Sequence, residues 1–466
     1  RLDWLHYPDH SLLRLVRLED GTSEAEIGIA DAGTRFAADL PAGELRDIIG
    51  PLLDIRAFLP RASLKIRSHC LRLEDDEGKT RTRLYVESIN RLTQEGGTRL
   101  LQKHLRLQPL RGYAKAARAI ARRLEKGYGL HAQDYSLCAE AWAAAGRQPG
   151  DYSSKLNIHL EPEMRADAAV RRVMLDLFHA MQVNEQGTIE DLDSEFLHDF
   201  RVAVRRTRSA LAELKWVFPP ATLKRFKREF AWLGSITTKL RDLDVYLLKL
   251  PGYRDSLPAA MQADLAPLQA YLEKHQRIEQ RKLARQLGTV RCGKLLQDWR
   301  IFLEQDFDAE HWPGKALLPV GEVANRRIWK SYRRVLKEGA AIDNHSPAAA
   351  LHELRIDCKK FRYLMEFFQS LYPPGKIRKQ IKALKSLQDN LGDFQDLEVQ
   401  AEALKGFGHQ MQAESSNLPS ETFMAMGVLV DLLYQRQDIE RSKFAERFAR
   451  FARPENRRVC KELFNP

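Results

Sequence analysis

The sequence predicts an α+β protein, a small β-rich N-terminal domain followed by a larger all-α domain. Three observations carry this prediction. Up to about residue 110, apolar and polar residues alternate in short runs broken by Gly, Pro and Asp. From about Tyr113 the apolar spacing lengthens to that of amphipathic helices joined by Pro- and Gly-containing turns. Within that helical part, the segment beginning at His198 returns, altered, at His352.

In chain order, a first hairpin is expected over Ala25 to Leu40, turning near Asp31-Ala32-Gly33. A second joins Leu64–Leu73 to Thr80–Ile89 through Asp75-Asp76-Glu77-Gly78. Alternation puts Lys65, Arg67 and His69 on one face of its first strand and Leu64, Ile66 and Ser68 on the other. In its second strand Arg81, Arg83 and Tyr85 share a face. AKAARAIARRLEKGYG then reads as a basic helix ended by Gly129. The polar stretch from Gly146 to Lys155 reads as a linker, giving domains over 1–150 and 163–466.

The chain has 466 residues, 44% of them apolar, enough to bury sizeable cores. It carries 75 Lys+Arg against 63 Asp+Glu, a net charge of +12 that favours an anionic partner without choosing one. The five cysteines are far apart and lack CxxC spacing, which argues against a zinc site or disulfide framework and for core packing in a reducing compartment. No apolar run of about 18 residues appears, so neither a membrane span nor a membrane partner is expected. The first residue is Arg rather than Met, which leaves a missing N-terminal piece and a signal peptide both open.

HDFRVAVRRTRSAL, from His198, superimposes on HELRIDCKKFRYLM, from His352, at a shift of 154 residues. The same shift carries Pro219-Pro220 onto Pro373-Pro374, and Arg241-Asp242-Leu243-Asp244-Val245 onto Gln395-Asp396-Leu397-Glu398-Val399. Three separated features at one offset indicate a duplication, with halves of about 163–310 and 311–466.

At about 100° per residue, His198, Arg201, Arg205 and Arg208 fall in one helical stripe, with Phe196, Phe200, Val204 and Leu211 opposite, facing a core. His352, Arg355, Lys359 and Arg362 repeat the stripe, and Arg206 and Lys360 flank it. A solvated face is the ordinary account of such a pattern. Charge density argues for more. Residues 198–228 hold nine Lys/Arg against two acids, residues 352–385 nine against three, and residues 326–337 six against none. Their combined surplus exceeds the +12 of the whole chain. Helices this one-sided repel themselves unless an anion neutralises them. Arg grips two phosphate oxygens at once, while Lys supplies a mobile point charge. His198 and His352 are open to three readings: donation to phosphate, a pH-tunable charge, or bracing of the helix start. No further ligand lies at metal spacing beyond the adjacent Asp199 and Glu353. Asp242 and Asp396 read as structural partners of basic residues rather than catalytic acids.

These motifs resemble the two halves of a CHAD domain, the conserved histidine α-helical domain. HDFRVAVRRTRSAL with LRDLDV and HELRIDCKKFRYLMEFF with LQDNLGDFQDLEV carry the resemblance, which runs over roughly 163–466 and includes FARFARPENRRVCKELF. It implies two four-helix bundles about a pseudo-twofold axis, with basic residues lining a central groove or pore. It further implies binding of inorganic polyphosphate without catalysis or cofactor, in the cytoplasm and in association with polyphosphate granules. By matching position, His198, Arg201, Arg205, Arg208, His352, Arg355, Lys359 and Arg362 become ligand-facing, with Arg206 and Lys360 beside them. The basic helix bearing Arg326, Lys330, Arg333 and Arg334 is expected to extend that surface. The halves depart from each other where TTKLRD stands against NLGDFQD, so that Gly392 faces Thr238.

The N-terminal segment from Pro60 to Glu125 is similar to the CYTH-like region often fused before CHAD. Complete CYTH domains form a β-tunnel that binds triphosphate with divalent metal and open on an ExExK strand. Here the nearest match, Glu24-Ala25-Glu26-Ile27-Gly28, has Gly in place of Lys, and few clustered acids remain for a two-metal site. A degenerate, non-catalytic module is therefore expected. Two alternatives stand beside polyphosphate: nucleic acid, which the same charges attract, and triphosphatase activity through the N-terminal domain.

Overall fold

The structure, a computed structural model, describes residues 1–18, 22–29, 34–93, 96–132, 137–146, 152–153, 156, 158–305, 314–343, 345–415 and 417–465. The chain divides into two compact units, 1–153 and 154–466.

The first unit holds two antiparallel three-stranded sheets. Strands β1 (Leu2–His6), β2 (Ser11–Val16) and β3 (Ser23–Ile29) form one, around a small core of Leu13, Ala25, Ala37, Leu40, Leu45 and Ile49 completed by helix α1 (Glu44–Leu53). Strands β4 (Leu64–Glu74), β5 (Thr80–Leu92) and β6 (Thr98–Pro109) form the other. The expected hairpin over 64–89 is β4–β5, paired from Leu64↔Arg91 to Glu74↔Thr80. The expected hairpin over 25–40 is corrected. Its first arm is β3, but β3 pairs with β2, and Ala37–Asp39 form a 3-10 turn. Phe36 bridges Ala57 instead of folding back on β3, because the Asp39 carboxylate accepts from the Arg35 and Phe36 amides and curls the chain there. The proposed turn at Asp31-Ala32-Gly33 lies outside the described residues, as do 147–151 and 154–155 of the linker. Helix α2 (Ala114–Tyr128) ends on Gly129 at φ +64°, a left-handed cap that glycine adopts without steric cost. A short helix α3 (Leu137–Ala143) follows.

The second unit is helical: α4 (Ala166–Ile189), α5 (Ser194–Glu213), α6 (Pro220–Ile236), α7 (Thr238–Ser256), α8 (Ala266–Leu287), α9 (Val290–Glu304), α10 (Val320–Ala340), α11 (Ala348–Phe367), α12 (Pro374–Glu414), α13 (Ser420–Phe451) and α14 (Pro454–Phe464). The starts of α4, α5, α6 and α8 match those of α10, α11, α12 and α13 at the single shift of 154. Local signals set these starts. Asp193 caps α5, its carboxylate accepting from the Glu195 and Phe196 amides at 2.9 and 3.2 Å. Pro220 and Pro374 each open a helix at a position where no backbone donor is needed. Helix ends obey the shift less well. Thr237 interrupts α6 and α7, its hydroxyl turned onto the Gly234 carbonyl at 2.8 Å, whereas α12 runs through Leu391 and Gly392 unbroken. The departure at Thr238 and Gly392 is thus a broken helix against a continuous one, and Asp242 and Asp396 still correspond.

Two apolar cores hold this unit, and neither belongs to one half. The larger joins Phe200, Phe226, Phe230 and Trp299 with Tyr332, Phe361, Phe451 and Phe464. Trp299 is fully enclosed, its ring 4.6 Å edge-on from Phe226 and 5.1 Å from Phe230. The smaller joins Leu243, Tyr246, Leu250 and Leu268 with Leu404, Met411, Leu429 and Leu433. Full burial of each such side chain contributes roughly 1.5–3 kcal/mol, so the halves stabilise each other through shared side chains.

Candidate functional site

The basic stripes of α5 and α11 do two jobs, divided along their length. Their N-terminal parts brace each helix to the one that returns beside it. His198 Nδ1 lies 3.0 Å from the Arg241 guanidinium, and His352 Nδ1 lies 2.8 Å from Gln395 Oε1. Residues 241 and 395 correspond under the repeat, so one contact persists with opposite polarity. Arg241 can only donate, which makes His198 Nδ1 the acceptor, while His352 Nδ1 donates to the amide oxygen as placed. Arg201 donates to Thr237 Oγ1 at 2.6 Å and Thr238 Oγ1 at 3.2 Å, and Arg355 donates to Asp396 at 2.9 Å. Burial depresses the Arg201 guanidinium; Asp242 opposes this, while Arg205, Arg241 and Arg208 add to it. Of the three readings of the histidines, the geometry displays the bracing one.

Further along, the stripes face each other across the repeat. Arg205 Nε donates to the Tyr363 hydroxyl at 2.9 Å. Glu366 of α11 receives Arg206 of α5 at 2.9 Å and Arg362 of its own helix at 3.3 Å. Between them opens a cleft of ≈ 560 Å³. Arg205, Arg208 and Lys227 reach it from α5 and α6, and Lys359 and Lys360 from α11, with Ser209, Ala212, Ala231, Ile356 and Tyr363 completing the wall. Among the described residues, five cations line it and no carboxylate does. The Lys359 ammonium is lowered to about 8, first by burial and then by Arg355 and Arg205, with Asp396 opposing. Cations held this close repel one another, and an entering anion relieves that repulsion.

The other expected residues are placed as follows. Arg334 contacts both Glu338 and Asp357 at 2.7 Å, and Asp357 also receives Lys360 at 2.9 Å, so Arg334 joins the edge of the site through a shared acid. Arg326, Lys330 and Arg333 are exposed on α10 and do not line the cleft. Lys227 carries no such signal in the sequence. Its counterpart under the shift is Ile381, so the repeat gives no prompt. A second groove of ≈ 340 Å³ mixes Lys249, Arg436 and Lys443 with Asp393, Asp396 and Glu440 and favours neither sign.

In the first unit, Glu24 receives Arg17 at 2.9 Å, and Arg81 sits on Asp75 at 3.0 Å. Glu87 gathers Ser68, His104 and Arg106 on one sheet face. Burial raises its carboxyl, but the bonds from Arg106, His104 and Ser68 outweigh that and leave it below the usual range. Among the described residues no three His, Cys, Asp or Glu side chains come together as a metal site, and no helix is long and apolar enough to cross a membrane.

A duplicated helical domain whose halves meet at a cationic cleft defines the class of this protein. The CHAD domain model matches residues 172–405, just over half of the chain, and the chain belongs to the CHAD domain family. Its helical unit is similar to the crystal structure of the CHAD domain from the plant Ricinus communis, at 26% identity and a TM-score of 0.51, over 64% of this chain and 97% of that one. A weaker likeness, 14% identity and a TM-score of 0.48 over 62% of this chain and 99% of the other, links it to PptA from Streptomyces chartreusis. No curated protein sequence matches the chain.

Proposed function

We propose that the helical domain binds a chain of inorganic polyphosphate in the cleft between α5, α6 and α11, without catalysis. The observation that carries this reading is the set of five cations, Arg205, Arg208, Lys227, Lys359 and Lys360, on one wall system where no described carboxylate intrudes. A polymer with one negative charge per repeating unit satisfies such a row without any shape-specific pocket. In this reading Glu366 and Asp357 hold Arg206, Arg362, Lys360 and Arg334 in place as structural counter-ions until the ligand competes for them. The two halves act as four-helix bundles about a pseudo-twofold axis, and Arg326, Lys330 and Arg333 extend the cationic surface beyond the cleft. The N-terminal unit is read as a degenerate CYTH-like module, and the whole as a cytoplasmic protein recruited to polyphosphate granules.

Nucleic acid is the competing ligand, since the same cations attract its backbone. Base recognition on single strands uses exposed aromatic platforms. The aromatic in the cleft wall, Tyr363, is only 3% exposed, and its hydroxyl is engaged by Arg205. That favours a bare phosphate chain. The test is calorimetric titration with long-chain polyphosphate beside DNA and RNA at about 0.15 M salt. Tight binding of polyphosphate with weak binding of both nucleic acids is expected, and equal binding of all three contradicts the assignment. Metal-dependent release of phosphate from triphosphate, lost on changing Glu24 and Glu26, would restore the enzymatic reading of the first unit.

A further inference from the structure

Among the lysines of the cleft, Lys360 is held by Asp357, whereas Lys359 and Lys227 have no acid partner among the described residues. Of these two, Lys359 stands on α11 one turn from Arg355 and Arg362 and is also acted on by Arg205. Arg205 is engaged by Tyr363, Arg206 by Glu366, Arg355 by Asp396 and Lys360 by Asp357. Lys359 lines the same cleft half-buried, and among the described residues no hydrogen bond or ion pair is found for its ammonium. The groups that act on it are Arg355, Arg205 and Arg362, all positive, and Asp396, whose carboxylate is already turned to Arg355 at 2.9 Å. A half-buried amine pressed by three guanidiniums sheds its proton more readily than a solvated lysine. It is also placed where small anions are drawn in.

We propose that Lys359 is an acylation site, reacting through its neutral amine with small anionic acyl donors of the acyl-phosphate class. The Nζ lone pair attacks the carbonyl carbon of the mixed anhydride. The tetrahedral adduct collapses by breaking the bond from that carbon to the bridging phosphate oxygen. Inorganic phosphate leaves with the bonding pair, facing Arg205 and Arg208, and the amine proton passes to phosphate or solvent. The product is a neutral amide, and nothing is oxidised or reduced. The cleft then carries four cations where it had five, so acylation lowers its affinity for any polyanion. That last consequence rests on the function proposed above; the reactivity does not.

With its pKa near 8, roughly a quarter of Lys359 is neutral at pH 7.5, against about one in a thousand for an ordinary lysine. A lower pKa also weakens the nucleophile, so the net gain expected over Lys360 is about tenfold. The experiment treats the intact protein with acetyl phosphate at pH 7.5 and follows occupancy of each lysine by peptide mass spectrometry. Lys359 is expected to acetylate about tenfold faster than Lys360, its neighbour on the same helix. Arg205→Gln is expected to slow this reaction and that with a neutral N-hydroxysuccinimide ester alike, because Arg205 also acts on the amine. Arg208→Gln, which is not among the groups acting on the amine, is expected to slow the acetyl phosphate reaction more than the ester. Pyrophosphate is expected to protect Lys359 selectively. Equal rates at Lys359 and Lys360 would overturn the proposal, as would unchanged selectivity in the Arg variants. Selective acetylation in a protein that fails to bind polyphosphate would keep this inference and sink the preceding one.

Discussion

The two repeats start their helices at equivalent residues and balance their charge differently. Helices α5 and α11 begin at equivalent residues, brace themselves through equivalent histidines and present cations at the same three stripe positions and one flanking position. Where α11 has Asp357 and Glu366, however, α5 has Ala203 and Ala212. The second half therefore supplies counter-ions for its own Lys360 and Arg362, and Glu366 even reaches across to Arg206. The first half leaves Arg205 and Arg208 to face the cleft without an acid, and it uses Arg where the second uses Lys at 359 and 360. Helix starts were retained between the halves, while the acids that serve as counter-ions, Asp357 and Glu366, lie on one side.

The largest expected effect tests this asymmetry directly. Arg205→Ala with Arg208→Ala should weaken polyphosphate binding on the order of 100-fold, at about 1.5 kcal/mol for each charge-assisted hydrogen bond to phosphate that is removed. Lys359→Ala with Lys360→Ala should cost about tenfold, because Lys360 is already held by Asp357. Equal effects from the two pairs, measured by calorimetry, would break the comparison. A smaller effect is expected from the counter-ion itself. Glu366→Gln should tighten binding about threefold by releasing Arg206 and Arg362, and Ala212→Glu should weaken it by a similar factor, each the size of one partly screened pair.

The smallest effect is protonic. The Lys359 ammonium lies below its ordinary value, so the folded protein sheds that proton at about pH 8 while the unfolded chain keeps it up to the usual lysine range. The unfolded state then binds more protons between those values, and this residue's contribution to stability rises with pH across that window. An anion in the cleft restores the proton. Titrations at pH 8 in buffers of different ionisation enthalpy should therefore show a fraction of a proton taken up on binding, absent at pH 6.5 and absent in Lys359→Met.

The duplication was legible in sequence because helix starts are set by local signals, the Pro pairs and the amphipathic stripes, and those survive a shift of 154 intact. Cleft membership was legible only in part. Arg205, Arg208, Lys359 and Lys360 follow from helical spacing, but Arg201 and Arg355 share the stripe and spend their donors on Thr237, Thr238 and Asp396 instead. Spacing fixes the direction of a side chain and says nothing of what waits at its far end. Lys227 was hidden because Ile381 replaces it in the other half, and Glu366 because a single acid among many cations reads as noise until its two partners are seen. In the first unit the strong alternation of β4 and β5 sufficed, whereas the hairpin over 25–40 failed because Asp39 binds the Arg35 and Phe36 amides and diverts the chain.

The most direct test is one titration repeated on two proteins, intact chain and Arg205→Ala/Arg208→Ala/Lys227→Ala/Lys359→Ala, each with long-chain polyphosphate and each checked for unchanged helix content by circular dichroism. The four side chains all reach solvent, so the fold should persist. Binding by the intact chain and its near-complete abolition in the variant is the predicted result. Undiminished binding by a folded variant would contradict the assignment and move the polyanion site away from this cleft.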